Sequence, residues 1–245
     1  MTLDAVPLHT HYGPMAFMQV SSSLLLILVM TIFQPTSPIM VGRSNIRVPS
    51  PLKFEFSGYS IWLDLEQIDQ DLNDALSYAA STHNVHAIPQ PHVTVIYGVE
   101  SSEQDARSRF ECFGQRVCET FQMWPMLAPK GVLADREVFN ENGATMSMAW
   151  MEISYKTSEE HEKLLDLAYE MFHHNGISAR QGPWVPHLSL CYDNPEDSEF
   201  DLLAVINIVS QYPSLLNARR PTGISLWSTY GTMDQWKCLD RISFR

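Results

Sequence analysis

One five-residue pattern occurs twice in the chain. Pro91-His92-Val93-Thr94-Val95 and Pro186-His187-Leu188-Ser189-Leu190 both read Pro-His-apolar-hydroxyl-apolar, and they start 95 residues apart. A tyrosine follows each, Tyr97 and Tyr192. In a β-strand residues i and i+2 share a face. His92 and Thr94 therefore point one way while Val93 and Val95 face the core, and His187 and Ser189 repeat the arrangement. Each proline fixes φ and offers no N–H, which suits the first residue of a strand. Strand parity puts Tyr97 and Tyr192 on the face opposite the histidines, so only a bulge or a strand end brings them round. A pattern duplicated at this spacing points to one pseudo-duplicated domain in which each half supplies half of a site.

The rest of the body reads as alternating strands and helices. Tyr59 to Leu65 and Val93 to Tyr97 are rich in β-formers. Ile68, Leu72, Ala75, Leu76 and Ala79 follow helical spacing. Ser101 to Phe121 reads as a helix with a Ser-Ser-Glu-Gln start, and Thr157 to His174 as a second. There Thr157 is the expected cap, Glu159 and Glu160 sit in the first turn, and Gly176 closes the C-terminus. Gly131 to Val138 and Met146 to Tyr155 read as strands joined by the Asn140-Glu-Asn-Gly turn. Leu188 to Tyr192 is a strand, Ser198 to Ser210 a helix, and Gly223 to Thr229 pairs with Gln235 to Phe244 as a hairpin. This order does not repeat strand–helix–strand strictly enough for a doubly wound parallel sheet. It points to an α+β fold with helices covering mainly antiparallel sheets.

Residues 1–50 differ from the body at 51–245. Leu24 to Phe33 is a ten-residue run without a charge, and a weaker apolar stretch reaches back to Met15. Ten helical residues span ~15 Å, against ~30 Å of hydrocarbon in a bilayer. The length suits the apolar region of a signal or targeting peptide, although no Lys or Arg precedes it. A membrane anchor through residues 15–33 and a cytoplasmic chain with an unstructured start remain the alternatives. Pro35, Pro38, Pro49 and Pro51 make the following stretch a linker.

Charge and composition narrow the partners. Hydrophobic residues make up 45% of the chain, enough for a substantial core, so wholesale disorder is excluded. The net charge is −12. An acidic surface repels polyanions, which argues against broad binding of duplex nucleic acid but leaves room for a small phosphorylated ligand. Four cysteines, none in a Cys-x-x-Cys spacing, make neither a disulfide framework nor a zinc site.

Two motif strands side by side would direct two imidazoles and two hydroxyls at one place. Phosphoester chemistry uses that set directly. One histidine takes a proton from water and the other gives one to the leaving oxygen, while Thr94 and Ser189 bond the non-bridging phosphate oxygens. These residues resemble the two-histidine phosphoesterase superfamily, with its two His-x-Thr/Ser motifs, and within it the cyclic phosphodiesterase branch. Tyr59-Ser-Ile-Trp-Leu, the helix before Pro91-His92 and Ile224-Ser-Leu-Trp-Ser-Thr-Tyr-Gly extend the resemblance over about Lys53 to Phe244. It implies a two-lobed, pseudo-symmetric α+β domain with antiparallel sheets lining a central cleft. It also implies hydrolysis of a small cyclic-phosphate nucleotide, a nucleoside 2′,3′-cyclic phosphate or ADP-ribose 1″,2″-cyclic phosphate, by a monomer that needs no metal or other cofactor. On that resemblance His92 and His187 are the catalytic pair, with Thr94 and Ser189 binding substrate. Which histidine is base and which is acid stays open. RNA-end processing, including 2′-5′ ligation, and a non-catalytic nucleotide-binding module are the alternatives.

Further candidates surround this set. Trp184 precedes His187 by three residues and either borders the cleft, stacking on a base or ribose, or belongs to the core. Tyr192 is a second candidate contact, and Thr229 and Tyr230 end the closing strand. His83 and His86 have metal-compatible spacings without a carboxylate or thiol complement. His173 and His174 end a helix, where partial positive charge suits the dipole. Cys112 and Cys118 lie ~240° apart on an unbroken helix and cannot bridge unless Gly114 interrupts it. Cys191 shares the parity of His187 and Ser189 and is expected at the cleft floor. Arg107, Arg109 and Arg116 form either an RNA-facing strip or a solvated helical face.

Overall fold

A computed structural model describes residues 52–65, 70–121, 124, 126–141, 144–172 and 185–244. The leader and linker at 1–50, together with Ile68, His173, His174, Gly176 and Trp184, lie outside these residues. Among the described residues no helix is long and apolar enough to cross a membrane.

Among the described residues, seven strands and four α-helices make an α+β fold. In chain order they are β1 (Tyr59–Asp64), α1 (Gln70–His83), β2 (His92–Val99), α2 (Glu103–Thr120), β3 (Pro129–Glu141), β4 (Ala144–Tyr155), α3 (Glu159–Phe172), β5 (His187–Asp193), α4 (Leu202–Gln211), β6 (Gly223–Ser228) and β7 (Lys237–Ser243). The strands form two antiparallel sheets, one ordered β2-β1-β6-β7 and the other β3-β4-β5. The expected hairpins β3–β4 and β6–β7 are both present.

The two halves repeat one unit. β1–α1–β2 and β4–α3–β5 each run strand, helix, edge strand, with a histidine opening the last strand. The backbone entry matches too: Leu65 N donates to Pro91 O at 3.2 Å, and Tyr155 N donates to Pro186 O at 2.8 Å. Helices cross between the halves, α1 packing on β5 and α3 on β2, so the edges β2 and β5 lie against each other.

Local chemistry sets the element ends. Ser102 caps α2, its hydroxyl accepting from Asp105 N at 3.2 Å. Asp201 caps α4 by accepting from Ala204 N at 2.8 Å, so that helix begins at Leu202 rather than near Ser198. In α3 the cap is Ser158, not Thr157. The Ser158 hydroxyl accepts from His161 N at 3.4 Å, and its carbonyl accepts from Glu162 N at 3.1 Å. Leu72, Ala75, Leu76 and Ala79 are all buried, as their spacing predicts for one helical face. α2 runs unbroken through Gly114, which does not interrupt it. A Cβ there would meet the end of the Ile242 side chain on β7. Cys112 and Cys118 are exposed free thiols.

Candidate active site

Both motif strands begin as their prolines and alternation require, and the two histidines are anchored in the same way. His92 Nδ1 lies 2.8 Å from Gln90 O, and His187 Nδ1 lies 3.0 Å from Val185 O. A carbonyl has no proton to give, so in each ring Nδ1–H donates two residues back and Nε2 is left for chemistry. β2 and β5 abut, and the His187 charge reaches His92.

Each strand also carries a bulge three residues after its histidine. Thr94 pairs with Trp62 and Ile96 with Ile61, which leaves Val95 as the extra residue. Ser189 pairs with Glu152 and Cys191 with Met151, which leaves Leu190 extra. One inserted residue reverses the parity beyond it. Two expectations change as a result. Cys191 turns into the core, fully buried, and burial pushes its thiol well above the usual range. Tyr192 turns toward Ser189, and its phenol donates to the Ser189 hydroxyl at 2.8 Å. Burial pushes that phenol up to about 12, so it keeps its proton at physiological pH. With Tyr192 donating, Ser189 can direct its own hydrogen at another acceptor.

Tyr97 makes the equivalent turn in the other half and accepts from Ser57 N at 3.0 Å. Phe56 stands between the two tyrosines, with ring centroids 6.2 Å from Tyr97 and 5.8 Å from Tyr192, and it packs edge-on against Trp236 at 4.7 Å.

The surroundings of the two histidines differ. His92 is 6% exposed and lies flat on Trp62, with ring centroids 3.5 Å apart and planes at 8°. Trp62 stacks in turn on Trp227 at 4.3 Å. Burial lowers the His92 pKa to about 3, against a smaller opposite effect from the bond to Gln90 O. Behind it, Gln90 is held by a buried polar network. Its Nε2 donates to Asp64 Oδ1 at 2.9 Å and its Oε1 accepts from Arg241 at 2.6 Å. Asp64 also accepts from Ser225 at 2.6 Å and faces Arg241 Nε at 3.2 Å.

His187 is the open partner, its side chain 36% exposed. Its neighbour is Glu152, a buried carboxylate on β4 with Oε2 3.9 Å from His187 Nε2. Sequence reasoning missed Glu152, Trp62 and the Asp64–Gln90–Arg241 network. The available signal was the alternation Trp150, Glu152, Ser154 against the apolar Met151 and Ile153 on β4.

No family model matches the sequence, and no curated protein matches it. Among solved structures the chain is similar to Kluyveromyces marxianus Usb1, at 12% identity and a TM-score of 0.43 over 76% of this chain and 96% of that one. It is likewise similar to the same protein with uridine monophosphate, at 11% identity and a TM-score of 0.40 with the same coverage.

The remaining candidates make other contacts. Thr229 donates to Gly58 O at 3.1 Å, and Tyr230 packs against Tyr59. His83 ends α1 against Phe200, and among the described residues no cluster of three metal-ligating side chains occurs. Arg107 pairs with Glu103, Arg109 with Asp105 and Arg116 with Glu170. A cavity of about 250 Å³ between α1 and α4, lined by Tyr78, His83, Asp201 and Asn207, shares no residue with the pair.

Proposed function

We propose that the chain is a phosphoesterase of the two-histidine kind that hydrolyses cyclic phosphodiesters, with a nucleoside 2′,3′-cyclic phosphate or ADP-ribose 1″,2″-cyclic phosphate as substrate. The observation that carries this reading is the pair of edge strands, each offering a histidine whose Nδ1 is tied to its own backbone and whose Nε2 is left for proton transfer.

His92, neutral and desolvated, takes the proton of the attacking water at Nε2. The water oxygen bonds to phosphorus, and the strained ring P–O bond breaks. His187 gives its Nε2 proton to the departing ribose oxygen, and the product is a phosphomonoester. Thr94 and Ser189, the latter polarised by Tyr192, donate to the non-bridging oxygens as charge accumulates there. A bound phosphate anion also opposes the burial effect on His92, so the base strengthens when substrate arrives. Proton transfer and hydrogen bonding suffice for a strained cyclic diester, so the scheme calls on no metal.

The test is turnover of both cyclic phosphates by the full chain with EDTA present. His92→Ala and His187→Ala should each lower kcat/KM by about 10²-fold or more, and the double variant by less than the product. Binding without turnover supports a nucleotide-binding module instead. Turnover untouched by both substitutions sinks the proposal.

A further inference from the structure

The proposed chemistry needs one imidazole to arrive with a hydrogen on Nε2, and the duplicated motif treats both rings alike. The neighbouring strand distinguishes them. Opposite Thr94 on β1 stands Trp62, whereas opposite Ser189 on β4 stands Glu152. Glu152 is buried and held in place: Oε1 accepts from Ser154 Oγ at 2.8 Å and Oε2 from Trp150 Nε1 at 3.1 Å. Ser154 is also the register partner of His187. Trp150, Glu152 and Ser154 thus form a cradle from successive residues of one strand face, with Oε2 3.9 Å from His187 Nε2. A carboxylate is of no use as a ligand for a phosphate anion, since like charges repel. Its place beside the site therefore calls for a role toward the histidine.

Resting on the reading above, we infer that Glu152 is a positioning residue that holds His187 as the proton donor. Its carboxylate faces the Nε2 edge and stabilises the hydrogen there, while Val185 O fixes the opposite edge of the ring. Of the titratable groups near His187, Glu152 lies on β4 at 3.9 Å, His92 acts from β2, and Tyr192 bonds Ser189 on the strand of His187 itself. Among these groups Glu152 is the one carboxylate.

Two readouts on the full chain test this. In steady-state kinetics on a nucleoside 2′,3′-cyclic phosphate, Glu152→Gln should lower kcat with little change in KM. Its activity relative to the parent should fall roughly tenfold further between pH 6 and pH 8, because the opposite charge at this range is gone. Glu152→Asp should restore part of the loss. Trp150→Phe, which removes the Nε1 donor and keeps an aromatic ring, should shift the profile the same way by less. In parallel, NMR titration of the His187 ring proton should show the midpoint moving to lower pH in Glu152→Gln. A pH profile that superimposes on the parent's after scaling, together with an unmoved titration, overturns the inference and shows Glu152 to be structural. A parent without turnover overturns the proposed function instead, and the titration then still reads the Glu152–His187 coupling.

Discussion

In the β1–β2 half, a histidine lies sealed against stacked tryptophans, with a buried Asp–Gln–Arg network behind the carbonyl that holds it. In the β4–β5 half, the equivalent histidine stands partly in solvent beside a carboxylate, and its anchoring carbonyl belongs to the exposed Val185. Backbone geometry repeats between the halves down to the position of a bulge. The side chain opposite the hydroxyl residue does not repeat. The difference shows how one duplicated scaffold yields unlike chemical partners. The strand bearing the motif presents the same ring edges in both halves, and the strand beside it sets what surrounds them.

The largest effect that would break this comparison is on stability. Arg241→Met removes the partner of a buried carboxylate in the sealed half and should cost about 3 kcal/mol in urea unfolding at pH 7. A cost below 1 kcal/mol would show that the network does not hold the Gln90 turn.

The next effect concerns pH. His92 has a folded pKa below its unfolded value, so its stabilising contribution is complete above about pH 6.5 and drains away as pH falls toward 3. Between pH 7 and pH 5 the parent should lose about 2 kcal/mol more than His92→Phe, measured by denaturant unfolding at both values. Equal losses would contradict the sealed environment.

In the open half, Tyr192→Phe removes the donor to Ser189. It should lower kcat/KM by roughly fivefold to tenfold, equivalent to about 1 kcal/mol, without shifting the unfolding midpoint appreciably. A variant with unchanged kinetics would place Tyr192 outside the chemistry. The smallest effect belongs to Arg116→Ala, which breaks an exposed pair with Glu170 and should change stability by about 0.5 kcal/mol or less, with kinetics untouched.

The α+β class, both hairpins, and the placement of His92, Thr94, His187 and Ser189 at the starts of two strands were legible from local pattern alone. Side-chain parity past the third residue of each motif was not. The bulges at Val95 and Leu190 depend on which strand lies alongside, and β1 and β4 are remote in sequence. A trace was present in the adjacent apolar pairs Val95-Ile96 and Leu190-Cys191, both buried, which break strict alternation. Glu152 showed only as a polar position in the alternation of β4, since its meaning comes from standing opposite Ser189. The Ser158 cap was a contest between neighbouring hydroxyl residues, decided by where the first turn of α3 starts.

Phe56 gives the two halves a common fastener. The backbone from Leu52 to Gly58 crosses from Asn194, which accepts from Lys53 N, to Gly231, whose amide donates to Phe56 O. It thereby drops one aromatic ring between the tyrosines that follow the two motifs. One phenyl ring, edge-on to Tyr97 and tilted against Tyr192, bridges the halves at that end. Trimming the chain through residue 56 would keep every proposed reacting residue in the sequence and remove the ring that bridges the two halves.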